Sequence, residues 1–131
     1  MNENAVNYAG NFFFVVNGVL RNANGEILML HYKRFNGWGL PGGKVDSGET
    51  PIRAVQREFV EETGLKVEVI GLLGAIEYSL KPENYTLNIL YEVKLVGGEQ
   101  KNMETEKHDA LEYRNHTDLP PNFAKVCLVE K

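Results

Sequence analysis

Between Gly43 and Leu65 the chain reads GKVDSGETPIRAVQREFVEETGL, a segment that specifies one helix and dictates what must surround it. Thr50 is suited to cap a helix N-terminus, Pro51 to occupy its first position, and Gly64 to end it in the left-handed conformation. At about 100° per residue, Ile52, Val55 and Phe59 form an apolar stripe. Ala54, Glu58, Glu61 and Glu62 fall within roughly a quarter turn beside that stripe. Arg53, Gln56, Arg57 and Val60 point towards solvent or a flanking loop. Such a helix needs a sheet to cover its stripe, and its acidic edge then borders the buried face instead of lying opposite it.

The flanking sequence supplies the strands. Asn11–Leu20 and Glu26–Tyr32 are rich in strand formers, and Asn22-Ala23-Asn24-Gly25 between them is a hairpin signal. Lys33–Gly43 is loop-like, with room for a short strand near Trp38 and Leu40. Lys66–Ile76 and Thr86–Val96 read as strands, the second alternating as Leu87, Ile89, Tyr91, Val93 and Leu95. Gly97-Gly98 ends it. Glu99–Asp109 is polar, charged and expected to be mobile, Leu111–Arg114 is a short strand, and Pro120–Lys131 is a terminal helix. The order predicts an α+β fold, a mixed β-sheet with helices packed against it, and 131 residues suit one domain over residues 1–131.

A hydrophobic share of 43% with 24% charged residues is that of a globular protein. The net charge of −4 argues against binding a nucleic-acid polymer, which needs a basic stripe, but not against a small phosphorylated ligand. A single cysteine, Cys127, makes no internal disulfide and reads as a buried apolar filler. The run Phe12–Leu20 is too short and too broken for a signal or a membrane span, so a cytoplasmic protein with no membrane partner is expected. In that setting the glycosylation patterns at Asn84 and Asn115 are chance matches.

An acidic helix face is ordinarily just solvated. Here Glu58 and Glu62 are like charges four residues apart, and Glu61 and Glu62 lie near the helix C-terminus, where the dipole disfavours negative charge. Each cost is a few tenths of a kcal/mol, less than a hard divalent cation gains from several carboxylate oxygens. The glycine loop Gly37–Lys44 lets the backbone approach a ligand. It is not a P-loop, which would need glycine at Trp38 and Ser or Thr at Val45. Trp38 is suited either to stack on a base or to plug the core. His31, His108 and His116 have no metal-ligand spacing and read as surface or structural residues.

Gly43, Glu49, Arg57-Glu58, Phe59, Glu61-Glu62, Gly64 and Leu65 stand at the spacings of the Nudix signature, and the chain resembles a minimal, MutT-like member of that family. The one departure is Phe59, where the family has an aliphatic residue. The resemblance implies the Nudix fold, a mixed sheet sandwiched between helices, and hydrolysis of a nucleoside diphosphate linked to another moiety with Mg²⁺ or Mn²⁺. It implies that Glu58, Glu61, Glu62 and the Gly42 carbonyl hold metal, and that Glu49 and Arg57 form a structural ion pair. Glu61 is the first choice of general base; the alternative is a loop glutamate, Glu106 before Glu104 or Glu112. Trp38, Lys44 and Arg34 are the substrate-contact candidates, with Phe35, Tyr78 and Tyr85 as further aromatics.

The expected substrate is a small nucleotide. The loop before the signature favours a (deoxy)nucleoside triphosphate, whereas Pro82 resembles the proline of ADP-ribose hydrolases. A non-catalytic nucleotide-sensing module is the rival from a different class. Both monomer and homodimer are open, the latter if Phe12–Phe14 form an edge strand.

Overall fold

The structure, a computed structural model, describes residues 11–127. Seven strands run Asn11–Leu20 (β1), Ile27–Tyr32 (β2), Gly37–Gly39 (β3), Gly42–Lys44 (β4), Leu65–Lys81 (β5), Asn84–Gly98 (β6) and His108–Arg114 (β7). Helix α1 spans Pro51–Thr63 and α2 spans Pro121–Cys127, the latter preceded by a 3-10 turn at His116–Asp118. The last residues of the expected terminal helix lie outside the described residues.

The strands form two sheets. One has the order β4-β1-β6-β5 and is mixed, because β1 and β6 run parallel while the other pairs are antiparallel; the second, β3-β2-β7, is antiparallel. The hairpin expected at Asn22–Gly25 is therefore only a turn. A single bridge, Arg21 to Ile27, follows it, and β1 and β2 then enter different sheets. Ten consecutive pairs with β6 hold β1, and β2 pairs with β7, so tertiary pairing overrides the local signal. Strand β1 lies inside its sheet, yet β4 covers only Val15–Asn17. Phe12, Phe13 and Phe14 are 37–48% exposed, neither core nor a complete edge strand.

Alternation on β1 and β2 makes two cores. Val16, Leu20 and Leu28 pack with Val67 and Val93 against Ala54, Val55 and Phe59 of α1. Val19, Ile27 and Met29 pack with Leu40 and Leu90 against Leu119 and Cys127, beside α2. The sheets are thus sandwiched between the helices, an α+β sandwich. Ile52 does not join the stripe expected of it: it is 47% exposed at the first turn, and Glu62 and Thr63 are buried instead. Among the described residues no helix is long and apolar enough to cross a membrane.

Candidate metal centre and active site

Local chemistry positions α1. Thr50 Oγ1 accepts from the Arg53 amide at 3.2 Å, Pro51 opens the helix, and Gly64 closes it at φ +74°, donating to the Val60 carbonyl. This sets the glutamate edge of α1 against the Gly42-Gly43 backbone of β4. A Cβ on Gly43 would lie 2.5 Å from Glu58 Oε1, so only glycine lets that carboxylate reach the strand. The Gly42 amide donates to Glu62 Oε1 at 2.8 Å.

Arg57 organises the other acids. Its Nε and Nη2 donate to the two oxygens of Glu49 at 2.7 and 3.0 Å, a bidentate pair. Its Nη1 donates to Glu58 and Glu61, each at 3.0 Å, and Nη2 also reaches the Lys44 carbonyl at 3.1 Å. With Arg57 and the Asp46 amide donating to it, the Glu49 carboxyl is held down at about 2. One guanidinium ties the loop, β4 and two helix glutamates together.

The segment before β7 is tethered where a mobile loop was expected. The amides of Lys101 and Met103 donate to the carbonyls of Thr63 and Glu62, which the end of α1 leaves unpaired. That tether brings Glu104 to the site and leads into His108, 1% exposed at the start of β7. Ligand atoms of Glu62, Glu104 and His108 lie within 4.8 Å of one another.

Burial and mutual repulsion perturb this cluster. Burial, reinforced by Glu58 and Glu104, pushes the Glu62 carboxyl up to about 8 against the opposing Gly42 amide and Lys107. Burial also raises Glu58, opposed by Arg57. Burial lowers His108 from its ordinary value. Carboxylates that resist ionisation because they are buried, and then because they crowd one another, are suited to a divalent cation, and the donors, mostly oxygen, fit a hard one.

The centre opens into a cleft of about 1040 Å³. Glu58 and Glu62 lie at its buried side, and exposed Arg34, Lys44, Lys81 and Lys107 stand around it. A second cleft of about 390 Å³ adjoins it through Arg34, Gly42, Gly43 and Tyr78, and adds Phe35, Trp38, Asn88 and Phe123.

The structure brings Glu58, Glu62, Lys44, Arg34 and Glu106 to the main cleft and Trp38 to the second. The Trp38 ring also meets His31 edge-on and carries the Arg114 guanidinium 4.3 Å from its centroid. Glu61 is 49% exposed on Arg57 and lines neither cleft, and Tyr85 likewise lines neither. Glu112 pairs with Arg114, away from the cluster. Sequence reasoning set His108 aside. Its one local signal was a histidine at the end of a polar run just before a strand, and only the register of β7 against β2 buries it.

A family model described as the NUDIX domain matches residues 12–126. Over 90 residues the chain is 39% identical to a protein named ADP-ribose pyrophosphatase from Methanocaldococcus jannaschii, covering 66% of this chain and 53% of that protein. It is 36% identical over 74 residues to a protein named 8-oxo-dGTP diphosphatase from Escherichia coli, covering 53% of this chain and 57% of that protein. Among solved structures, a MutT NUDIX hydrolase from Burkholderia pseudomallei matches at a TM-score of 0.74 and 31% identity, over 83% of this chain and 87% of that one. These matches span little more than half the length of the two curated relatives.

Proposed function

Because the chain belongs to the Nudix family, we propose that it is a divalent-metal-dependent pyrophosphohydrolase of small nucleotides, with a (deoxy)nucleoside triphosphate as substrate. The observation that carries this reading is that Glu58 and Glu62 meet at one cleft with basic side chains around it, while Glu104 and His108 bring ligand atoms within 4.8 Å of that of Glu62. The relative named 8-oxo-dGTP diphosphatase supports the substrate class.

Glu58 and Glu62, with Glu61 one turn along the same edge and the Gly42 backbone beside them, are the residues that would hold Mg²⁺ or Mn²⁺. Such an ion, when bound, neutralises phosphate charge and lowers the pKa of a bound water. The chain's own groups do the rest. Arg57 keeps Glu58 and Glu61 in place, and the Gly42 amide fixes one oxygen of Glu62. Arg34, Lys44 and Lys81 draw the phosphates into the cleft, and Trp38 with Phe35 offers faces to a base in the adjoining one. Glu106 takes the proton of the attacking water: it lines the cleft, and its carboxylate has no ion-pair partner among the described residues. Glu61, tied to Arg57, acts on the metal side.

The test is incubation with Mg²⁺ or Mn²⁺ and a panel of nucleoside triphosphates, ADP-ribose and nucleotide sugars, followed by product analysis. A nucleoside monophosphate plus pyrophosphate is expected. Glu106→Gln should lower kcat by about 10²-fold or more, and full activity in Glu62→Gln would sink the site assignment. Tight nucleotide binding without turnover in either metal would promote the sensing module. A second reading, hydrolysis of ADP-ribose, is supported by the Methanocaldococcus relative's name and by Lys81 and Asn84, which bring the turn carrying Pro82 to the main cleft. The panel separates the two by product.

A further inference from the structure

We infer that His108 gives an imidazole nitrogen, beside the carboxylates of Glu62 and Glu104, to a divalent cation, making a mixed nitrogen and oxygen site that holds Mn²⁺ in preference to Mg²⁺. The inference rests on the metal dependence proposed above and deepens it. Both ring nitrogens of His108 are buried and have no hydrogen-bond partner among the described residues. A histidine serving only as core filler satisfies at least one of them, because an unpaired buried polar atom costs about 1–3 kcal/mol.

The backbone holds the ring where it is. The His108 amide donates to the Glu104 carbonyl at 3.0 Å, and its own carbonyl accepts from Asn102 Nδ2 at 2.7 Å. The Tyr32 ring meets the imidazole edge-on at 4.6 Å. So fixed, Nε2 lies 3.8 Å from Glu62 Oε2. That is too long for a hydrogen bond, yet it is the spacing of two ligands each about 2.1–2.2 Å from one ion at a wide angle. The Gly42 amide occupies the other oxygen of Glu62, leaving Oε2 to face the imidazole. The nearby cation, Lys107, lies 3.5 Å from Glu104 with its side chain 61% exposed, so a bound ion displaces it into solvent.

The ligand set decides the metal. Mg²⁺ takes oxygen ligands in a strict octahedron, whereas an imidazole suits transition metals. A nitrogen donor from His108 therefore adds affinity for Mn²⁺ that Mg²⁺ does not share.

The experiment is pulsed electron paramagnetic resonance of the Mn²⁺-loaded protein, with Mn²⁺ and Mg²⁺ affinities measured calorimetrically. The wild type should show a ¹⁴N coupling to the bound Mn²⁺, which disappears in His108→Gln and in His108→Asn. Mn²⁺ affinity should fall about tenfold or more in both variants, while Mg²⁺ affinity changes by less than about threefold. Circular dichroism checks that the variants fold, and where they do not, a wild-type spectrum without a ¹⁴N coupling still overturns the inference. A wild-type Mn²⁺ complex with no nitrogen coupling, or with a coupling that persists in both variants, overturns the inference and leaves the pyrophosphohydrolase standing. Absence of Mn²⁺ binding overturns the inference, and absence of binding of both Mn²⁺ and Mg²⁺ overturns the proposed hydrolase with it. A His108-dependent coupling in a protein that turns over nothing on the panel supports the site and removes the hydrolase.

Discussion

Phe59, the one residue that departs from the family signature, fills space that Gly18 leaves open: a Cβ on Gly18 would meet Cε1 of its ring. Gly18→Ala should therefore destabilise the protein by about 1–3 kcal/mol through overpacking. Phe59→Leu in the same chain should recover part of that loss, which urea denaturation of the single and double variants measures as a coupling energy. Glu62 gives a pH signature of its own. Its folded value, about 8, lies above the ordinary 4.5, so the folded protein without metal binds the extra proton and loses stability as pH rises through that interval. Neutral burial of His108 acts the other way below its ordinary 6.5, which leaves about 6.5 to 8 as the clear window. The melting temperature of the metal-free protein should fall across that window. Saturating Mg²⁺ should flatten the slope, because it stabilises the ionised carboxylate.

Arg57 makes α1 and its flanking loop a single working element. Arg57→Lys keeps the charge and loses the fork to Glu49 and the reach to Glu58 and Glu61, so metal affinity or kcat should fall about 10- to 100-fold, measured by calorimetry and steady-state kinetics. This element was the most legible part of the sequence. Thr50, Pro51, Gly64 and the glutamate edge are local chemistry, fixed within a few turns of chain. The elements around it were less so. The Asn24-Gly25 turn is real, but whether β1 and β2 pair beyond it depends on β6 and β7, which lie far along the chain. The polar run Glu99–Asp109 reads as mobile because its composition does not reveal that its amides cap the end of α1. His108 was illegible for the same reason: long-range register decides its burial.

At the scale of the molecule, the site joins parts of the chain that meet only in the folded state: β4, α1 and the segment before β7. A divalent ion binding there acts on global unfolding, and at about 100 times its Kd it should add about 2.7 kcal/mol. Urea unfolding with and without the ion measures this, and Glu62→Gln should abolish most of the increment. The two cores share β1 and β2, so neither helix closes its core without both strands. The parallel pairing of β1 with β6 then bears on how the chain reaches this state. Strand β1 has its longest partner in a strand that starts only at Asn84, so until β6 exists its backbone and Phe12, Phe13 and Phe14 stay open to other chains. Closing so long a loop slows folding, and an unpaired apolar strand invites association in the interval. Refolding yield should therefore drop as protein concentration rises, and the losses should trace to the earliest strand in the chain.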